Sequence, residues 1–309
     1  MMKYSKERGF ITDVKHFAIH DGDGIRTTVF FKGCPLKCVW CHNPECISAD
    51  VQEAFYSHKC INCGECQKNG FVTEDCLGRA RLTYGREIGI DELLSELLQD
   101  RDFYENTNGG ITLSGGECLL QADFCAELLK RLKQEGINTA VDTCGCVPWS
   151  AFEKVLPYTD VFLYDLKAVD EQVHKKCTGL SNKLILDNLS RLDLCGASIE
   201  IRIPYVPEYN SGEIGKMAEL LSSFKNISEI KVLPYHDLAR SKYDALKMEN
   251  TLPSVLPADA ELDDARALIR AKTGFECQEI LYCKNAVVLL TSAFFYYIIF
   301  LSNIRRTRT

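Results

Sequence analysis

From residue 26 onward, short apolar runs alternate with segments of helical periodicity, and this alternation restricts the folds open to the chain. Repeated units of strand and helix build a parallel sheet covered by helices. The predicted strands are residues 27–32, 110–113, 139–142, 161–166, 199–204 and 227–234. The predicted helices include residues 91–102, 121–135, 184–194 and 212–224. We therefore expect an α/β fold, a partial (β/α)6 barrel of the TIM type, with its chemistry where the strands end.

Two stretches interrupt the alternation. Residues 46–85 contain several cysteines, scattered Gly and Asn, and little periodicity, which is typical of a loop-rich insert that folds around a metal. Residues 286–301 are an uncharged, mostly apolar run that is just shorter than a comfortable membrane span. We interpret that run as a buried terminal element or an extension unrelated to the fold, with a membrane tail anchor as the alternative. The predicted domains are a core of residues 1–45 and 86–283, an insert of residues 46–85, and a tail of residues 284–309.

Charge and cysteine content limit the compartment and the partners. The formal net charge of -7 argues against a sequence-independent grip on nucleic acid, which needs clustered Lys and Arg to neutralise phosphates. The first residues contain no apolar segment of the secretory kind, so we expect a reducing, cytoplasmic compartment and no membrane association. In such a compartment the 16 cysteines are metal ligands, catalytic groups or buried residues more often than disulfide partners.

Cys34, Cys38 and Cys41 form a C-x3-C-x2-C triplet directly after the first predicted strand. Three thiolates on one tight loop can hold three irons of a [4Fe-4S] cubane and leave the fourth iron open to a substrate. The alternative is a closed zinc or iron site with Cys46 as the fourth ligand, although zinc sites usually contain repeated C-x2-C pairs. The asymmetric spacing favours the open cluster.

Together with residues 21–27 (DGDGIRT) and 42–44 (HNP), this triplet resembles the activating enzymes of glycyl radical enzymes, a branch of the radical S-adenosylmethionine (SAM) superfamily. The resemblance extends over most of residues 9–275. It implies a radical SAM barrel in which SAM binds the open iron through its amino and carboxylate groups. It also implies that the reduced cluster cleaves SAM to methionine and a 5'-deoxyadenosyl radical, while the protein orients the cofactor and shields the radical.

Further motifs follow in the family's order. Residues 114–117 (SGGE) resemble the glycine-glycine-glutamate motif that contacts the SAM amino group, and glycine lets backbone approach a ligand closely. Arg202, in an otherwise apolar strand, is costly unless paired, and a SAM carboxylate would be a suitable partner. By resemblance, the SAM-binding residues are Trp40, Cys41, His42, Gly115, Gly116, Glu117, Asp165, Leu166, Lys167, Arg202 and His236.

The resemblance also implies a monovalent cation beside the SAM carboxylate, held by Asp142, Thr143 and Asp165, since hard oxygen ligands suit such a cation. Taken alone, each of these segments is equally typical of a solvated strand end or an ordinary loop. Their order after a cysteine triplet is what favours the functional interpretation.

The insert has its own cysteine pattern. Cys60, Cys63 and Cys66 have the C-x2-C-x2-C spacing of ferredoxins, and Cys76 can complete a four-thiolate site. The usual fourth cysteine comes sooner and precedes proline, whereas Leu77 follows here. We predict a second, fully ligated [4Fe-4S] cluster in a small ferredoxin-like insert, for electron relay or structure, with structural zinc or a degenerate remnant as alternatives. Many relatives carry two ferredoxin-type clusters there, so this insert looks shortened.

The chain departs from the family pattern at three positions without losing a ligand. Asp23 and Cys118 stand where proline is common, and Cys46 replaces a usual serine. The remaining cysteines have no metal spacing and are interpreted as small buried residues. They are Cys118, Cys125, Cys144, Cys146, Cys177, Cys195, Cys277 and Cys283.

The resemblance implies reductive cleavage of SAM, followed by abstraction of an α-hydrogen from a glycine of a partner glycyl radical enzyme. Flavodoxin or ferredoxin is the expected electron donor. One alternative is a radical SAM enzyme that acts on a small molecule or another peptide. A second alternative is a non-catalytic iron-sulfur electron carrier that uses only the insert cysteines.

Overall fold

The computed structural model describes residues 5–68 and 76–278 of the 309-residue chain. The strands in this part are β1 (Arg8–Ala18), β2 (Arg26–Phe31), β3 (Gln52–Phe55), β4 (Arg81–Tyr84), β5 (Arg86–Gly89), β6 (Gly110–Gly115), β7 (Asn138–Thr143), β8 (Val161–Asp165), β9 (Ile199–Tyr205), β10 (Ile227–Pro234) and β11 (Cys277–Gln278). The α-helices are α1 (Glu65–Lys68), α2 (Ile90–Leu97), α3 (Arg101–Thr107), α4 (Ala122–Gln134), α5 (Trp149–Val155), α6 (Glu171–Thr178), α7 (Lys183–Leu194), α8 (Ile214–Leu221), α9 (Arg240–Ala245) and α10 (Asp259–Thr273).

One sheet contains nine of these strands in the order β11-β10-β9-β8-β7-β6-β2-β1-β5. From β2 to β11 neighbouring strands run parallel. By contrast, β1 is antiparallel to both β2 and β5. The order ends at β5 and β11, so the described sheet is a partial barrel. The six predicted strands correspond to β2 and β6–β10, and the predicted partial (β/α)6 fold is confirmed.

The two faces of the parallel sheet differ in chemistry, as β9 illustrates. Successive side chains of a strand point to opposite faces. Ile199, Ile201 and Ile203 are fully buried in the main hydrophobic core, together with the apolar sides of the surrounding helices. The intervening Glu200 and Arg202 are also buried and therefore lie on the opposite face, inside the barrel. The sheet thus holds an apolar layer outside and charged groups within.

The sequence did not predict the antiparallel strand β1 or the helices α5, α6 and α10. β1 mixes charged and apolar residues, and its pairing with β2 contains irregularities between Ile11 and Asp13 and between Lys15 and Ala18. These irregularities break the alternation by which a half-buried strand is recognised. α10 contains four acidic and three basic residues, which weakens its apolar stripe.

Part of the predicted insert forms a separate two-stranded sheet, β3 paired antiparallel with β4. Ala54 and Tyr56 form a small hydrophobic cluster with Ala245 of α9, so this sheet packs on the core of the chain. The boundaries proposed for the insert stay a prediction. The tail of residues 284–309 and Cys283 lie outside the described residues. Within residues 5–68 and 76–278, no helix is both long and apolar enough to cross a membrane.

Arg26 joins three neighbouring strands from a fully buried position. Its guanidinium donates to Thr112 Oγ1 at 2.7 Å, to Ile111 O at 2.8 Å and to Asn138 Oδ1 at 2.9 Å. Burial lowers the pKa of Arg26 to about 10, against the attraction of Asp23 and other carboxylates, so the side chain stays charged at neutral pH. The guanidinium therefore ties β2 to β6 and β7 near their amino ends.

We expect Arg26→Met to lower the free energy of unfolding by about 3 kcal/mol, because the substitution leaves buried acceptors on two strands without their charged donor. The denaturant concentration at the unfolding midpoint measures the effect. Arg8→Met is the matched control, since Arg8 is exposed and its ion pair with Glu87 at 3.4 Å contributes little. Equal midpoints for the two variants would contradict this role for Arg26.

Candidate functional site

A cavity of about 210 Å³ opens at the carboxyl ends of the parallel strands. The predicted site residues that line it are Cys34, Cys38, Trp40, Cys41, His42, Gly115, Gly116, Asp142, Thr143, Asp165 and Lys167. Its wall also contains Leu36, Asn43, Ile47, Ser114, Cys144, Pro204, Leu233, Pro234 and Tyr235. These groups are far apart in sequence and meet because parallel strands end at one edge of the barrel.

Residues 34–46, here called the cysteine loop, carry the triplet into this cavity. Backbone hydrogen bonds fix the first half of the loop. Lys37 N donates to Thr178 O and Val39 N donates to Cys177 O, both at 2.9 Å. The loop therefore rests on the carboxyl end of α6, and its irregular backbone is held without regular secondary structure.

The segment around α9 fixes the second half of the cysteine loop. Tyr243 Oη donates to Cys41 O at 3.1 Å, and Lys242 Nζ donates to His42 O at 3.0 Å. Lys242 also lies 2.5 Å from Glu45 Oε1, whose side chain is 8% exposed. Contacts within the protein therefore hold the cysteine loop on both sides.

The three thiols of the triplet have the donor chemistry of a cluster site. Burial raises the pKa of Cys38 to about 12 and raises that of Cys41 well above its ordinary value, so the protein alone disfavours these thiolates. Bound iron supplies the positive charge that ionises such thiols. Cys46, the alternative fourth ligand, donates to Thr12 Oγ1 at 3.4 Å and is not among the described residues that line the cavity.

Among residues 5–68 and 76–278, no three His, Cys, Asp or Glu side chains converge as the ligands of a single metal ion do. A cubane has a different requirement, because each thiolate binds its own iron. The shared cavity and the donor type therefore fit a cluster held by Cys34, Cys38 and Cys41.

The two glycines after β6 allow the strand end to lie directly against the cysteine loop. Gly115 has φ +119°, which favours glycine. A Cβ atom at Gly116 would lie 2.3 Å from Gly33 O and 2.5 Å from Cys46 O. Gly116 N donates to Phe31 O at 2.9 Å, so the close approach is also hydrogen-bonded. Larger residues at either position would separate the two walls of the cavity.

Glu117 is fully buried, and its carboxylate lies outside the described lining of the cavity. Its Oε2 accepts from Thr143 Oγ1 at 2.8 Å, Cys144 N at 2.9 Å and Cys144 Sγ at 3.0 Å. Its Oε1 accepts from Leu119 N at 3.1 Å. Burial raises the pKa of Glu117, and these hydrogen bonds oppose that rise. The carboxylate joins the loop after β6 to the loop after β7.

Two carboxylates line the cavity with polar partners already in place. Asp165 Oδ2 lies 2.5 Å from Lys167 Nζ, and Asp142 Oδ2 accepts from Ser114 Oγ at 2.5 Å. Burial alone would lower the pKa of Lys167, but the attraction of Asp165 and nearby cysteines raises it. Burial raises the pKa of Asp142 to about 7, against the attraction of Arg202. The cavity therefore contains a charged ammonium and two oxygen ligands of the type that a small cation prefers.

Arg202 lies behind Asp142, outside the described cavity lining. Its guanidinium is 3.6 Å from Asp142 Oδ1 and its Nε donates to Glu200 Oε1 at 3.1 Å. It also donates to the carbonyl of His20. Carboxylates of the protein therefore compensate the buried charge of Arg202. Arg202 affects the cavity indirectly, through its ion pair with Asp142.

The two predicted histidines are in contact with each other. The rings of His42 and His236 stack with centroids 4.0 Å apart, and His42 Nε2 lies 2.9 Å from His236 O. Burial lowers the pKa of His42 to about 4, so this ring is neutral at physiological pH. The third predicted SAM-binding residue to consider here, Leu166, is buried in the main hydrophobic core. Of His42, His236 and Leu166, only His42 lines the described cavity.

Sequence reasoning missed the apolar side of the cavity and Cys144. Pro204, Leu233 and Pro234 are the strand-end residues of β9 and β10, and Tyr235 follows them. Their position at strand ends is the available signal, but apolar strand ends carry no motif. Cys144 has no metal spacing, so the sequence predicts only a buried cysteine there.

The predicted insert cysteines lie on the chain around β3, α1 and β4. Cys63 is exposed, and Cys60, Cys66 and Cys76 are half-buried. Cys60 Sγ donates to Asn62 Oδ1 at 3.6 Å. None of these four cysteines forms a disulfide. The segment that separates Cys66 from Cys76 includes residues outside the described part, so the geometry of a four-thiolate site stays a prediction.

Comparison with known proteins identifies relatives over most of the chain. A family model, the radical SAM superfamily, matches residues 28–221. The chain is 38% identical to the trans-4-hydroxy-L-proline dehydratase activating enzyme of Clostridioides difficile, over 84% of this chain and 96% of that protein. It is 36% identical to the choline trimethylamine-lyase activating enzyme of Oleidesulfovibrio alaskensis, over 86% of this chain and 96% of that protein.

A solved structure extends the comparison to the fold. SuiB of Streptococcus suis bound to S-adenosylmethionine is similar with a TM-score of 0.52, over 84% of this chain and 51% of that chain. At 15% sequence identity this similarity concerns the fold alone.

We expect Lys242→Met to loosen the cysteine loop. The substitution removes an ammonium that donates to His42 O and compensates the charge of the buried Glu45. Amide hydrogens of residues 37–46 should exchange with solvent about tenfold faster, as expected for loss of hydrogen bonds to a charged group. Hydrogen–deuterium exchange measures this. Lys130→Met, on the exposed face of α4, is the control. Unchanged exchange in residues 37–46 would show that Lys242 does not hold the loop.

Proposed function

The chain belongs to the radical SAM superfamily and, within it, to the activating enzymes of glycyl radical enzymes, and on this premise we propose that Cys34, Cys38 and Cys41 hold its SAM-binding [4Fe-4S] cluster. The observation that carries this proposal is the cavity, which all three cysteines line together with the Gly115-Gly116 turn. The three cysteines are half-buried, and the loop that bears them is hydrogen-bonded on both sides.

The enzyme activates a glycyl radical enzyme. When bound, the cluster supplies the electron that cleaves SAM to methionine and a 5'-deoxyadenosyl radical, which takes an α-hydrogen from a glycine of the partner. The chain's own contribution is to bind SAM at a fixed place, to exclude water and to orient the reacting groups.

We assign SAM binding to the residues named by the resemblance, in two groups. Trp40, Cys41, His42, Gly115, Gly116, Asp165 and Lys167 line the cavity. Glu117 and Arg202 act through neighbouring residues. Glu117 accepts hydrogen bonds from Thr143 and Cys144, which line the cavity. Arg202 forms an ion pair with Asp142, which also lines it. His236 acts through its stacking on His42. Leu166 contributes by packing in the main hydrophobic core, which fixes the backbone between Asp165 and Lys167.

We further propose that Asp142, Thr143 and Asp165 hold a monovalent cation. The side chains of Asp142 and Asp165 line the same cavity as the proposed cluster cysteines, where the resemblance implies the SAM carboxylate. A cation between carboxylates of protein and cofactor would offset their repulsion, and oxygen ligands suit it.

A second [4Fe-4S] cluster in the insert, and flavodoxin or ferredoxin as the electron donor, belong to the same proposal. The C-x2-C-x2-C spacing of Cys60, Cys63 and Cys66 and the exposure of Cys63 support it. A closed cluster near the surface is placed to accept an electron from a soluble protein. Structural zinc at the same cysteines is the alternative.

The central experiment is anaerobic. The protein is reconstituted with iron and sulfide, reduced, and mixed with SAM and a glycyl radical enzyme. We expect 5'-deoxyadenosine and an electron paramagnetic resonance signal of a protein radical on the partner. 5'-Deoxyadenosine without a partner radical would favour a small molecule or another peptide as substrate. Iron-loaded protein that neither binds nor cleaves SAM would favour an electron carrier.

We expect Cys38→Ala to abolish 5'-deoxyadenosine formation while the far-ultraviolet circular dichroism stays close to that of the parent, because one iron of the cubane loses its ligand. Cys46→Ala is the matched control, since Cys46 bonds to Thr12 and would matter only in a closed four-cysteine site. SAM cleavage by the Cys38 variant would refute the ligand assignment. Equal loss in both variants would favour the closed site.

We expect Cys63→Ala to lower the iron content by about one cubane without preventing SAM binding, because the insert cluster and the SAM site are separate. Iron analysis and equilibrium SAM binding measure the two effects. Cys195→Ala, at another exposed cysteine, is the control. Unchanged iron in the Cys63 variant would assign the insert to zinc or to no metal.

A further inference from the structure

The side chain of Asn210 bridges the ends of two neighbouring strands, and no motif of the sequence includes it. Asn210 is 1% exposed and lies between β9 and α8. Its Nδ2 donates to Lys167 O, just after β8, at 2.9 Å and to Pro204 O, in β9, at 2.6 Å. Its Oδ1 accepts from Val206 N at 2.8 Å. One buried amide therefore holds the backbone of two residues that line the cavity.

The backbone ladder between β8 and β9 ends just before this bridge. Asp165 lies opposite Arg202 in the register, and Leu166 N donates to Arg202 O at 2.8 Å. Pro204, further along β9, has no N–H and cannot donate to β8. The amide of Asn210 bonds to both chain segments where the ladder stops. A side chain thus provides the connection that backbone does not make here.

The partners of the Asn210 side chain fix its orientation. A 180° flip of the amide would place its NH2 group against the Val206 N–H and its oxygen against two carbonyls, so all three hydrogen bonds would be lost. The backbone of the residue is held as well. Asn210 N donates to Val206 O at 3.0 Å, and Glu213 N donates to Asn210 O at 2.9 Å. Asn210 is therefore a fixed bridge between the two strand ends.

The two residues that Asn210 holds belong to different parts of the cavity wall. Lys167 is 7% exposed, and its ammonium lies 2.5 Å from Asp165 Oδ2. Pro204 belongs to the apolar side of the cavity. Because the position of a side chain follows from its backbone, the bridge sets the charged part of the wall relative to the apolar part.

A second buried amide in the same region provides a comparison. Asn182 is 2% exposed, and its Nδ2 donates to Ala168 O at 3.0 Å and to Val169 O at 2.7 Å. Neither Ala168 nor Val169 is among the described residues that line the cavity. Asn182 and Asn210 thus each bond to two carbonyls, but only Asn210 holds residues of the cavity wall.

We propose that Asn210 is a positioning residue for SAM binding, which fixes Lys167 and Pro204 relative to each other so that the cavity keeps its shape. The inference rests on the proposed function, because SAM must bind in this cavity. Asn210 is outside the described lining and acts through these two residues. Loss of its amide would leave both carbonyls without this donor and loosen the strand ends.

The test compares Asn210→Leu with Asn182→Leu, because each substitution removes one buried amide and keeps nearly the same shape. Equilibrium binding of SAM to the reconstituted protein measures the effect on the cavity. We expect about tenfold weaker binding in the Asn210 variant and less than about twofold in the Asn182 variant, since misplaced cavity groups orient a ligand poorly. Hydrogen exchange of the Leu166 amide, measured without SAM, should become faster only in the Asn210 variant.

Equal SAM affinity in the parent and in Asn210→Leu would overturn the inference, and so would equal weakening in the two variants, which would indicate a general loss of packing. Unchanged exchange at Leu166 in Asn210→Leu would also overturn it. If a leucine variant does not fold, Asn210→Ser and Asn182→Ser decide by the same measurements, because serine is smaller and cannot reach both carbonyls. A parent protein that binds no SAM would contradict the proposed function, whereas exchange at Leu166 reports on the bridge alone.

Discussion

The parallel pairing of β2 with β6 places Gly115 opposite Phe31, and the functional site depends on this register. β2 leads directly into the cysteine loop and β6 leads into the two glycines, so the pairing brings both loops to one edge of the barrel. Gly116 can then accept the close approach of Gly33 O that any side chain would prevent. A shift of this register by one residue would reverse the facing of every side chain on β6 and separate the two loops.

The interior of the barrel is organised as a set of compensated charges. Arg202 lies between Glu200 and Asp142, Lys167 lies beside Asp165, and Glu117 is surrounded by hydrogen-bond donors. Isolated buried charges would be costly, whereas these groups support one another in a low-dielectric setting. The same arrangement holds the polar ends of several strands at fixed positions around the cavity, which is what orientation of a cofactor requires.

Local sequence predicted the strands and the strand-end groups, because periodicity and motif spacing are local properties. β2 and β6–β10 were all found, and most predicted site residues line one cavity. The direction of individual side chains was not predictable. Glu117 directly follows the lining residues Gly115 and Gly116, yet its carboxylate turns toward Thr143, since donors from β7 lie there. Arg202 is likewise satisfied by Asp142 and Glu200, partners that only the assembled sheet brings into contact.

The anchors of the cysteine loop are distant along the chain, and this separation orders events during synthesis. Lys242 and Tyr243 bond to His42 and Cys41 across 200 and 202 residues. At ribosomal rates of about 5 to 20 residues per second, the cysteines emerge about 10 to 40 seconds before the groups that clamp them. The loop reaches its final conformation only when α9 has been made. The native conformation of the cysteine loop is therefore reached late in synthesis, after most of the barrel strands have been made.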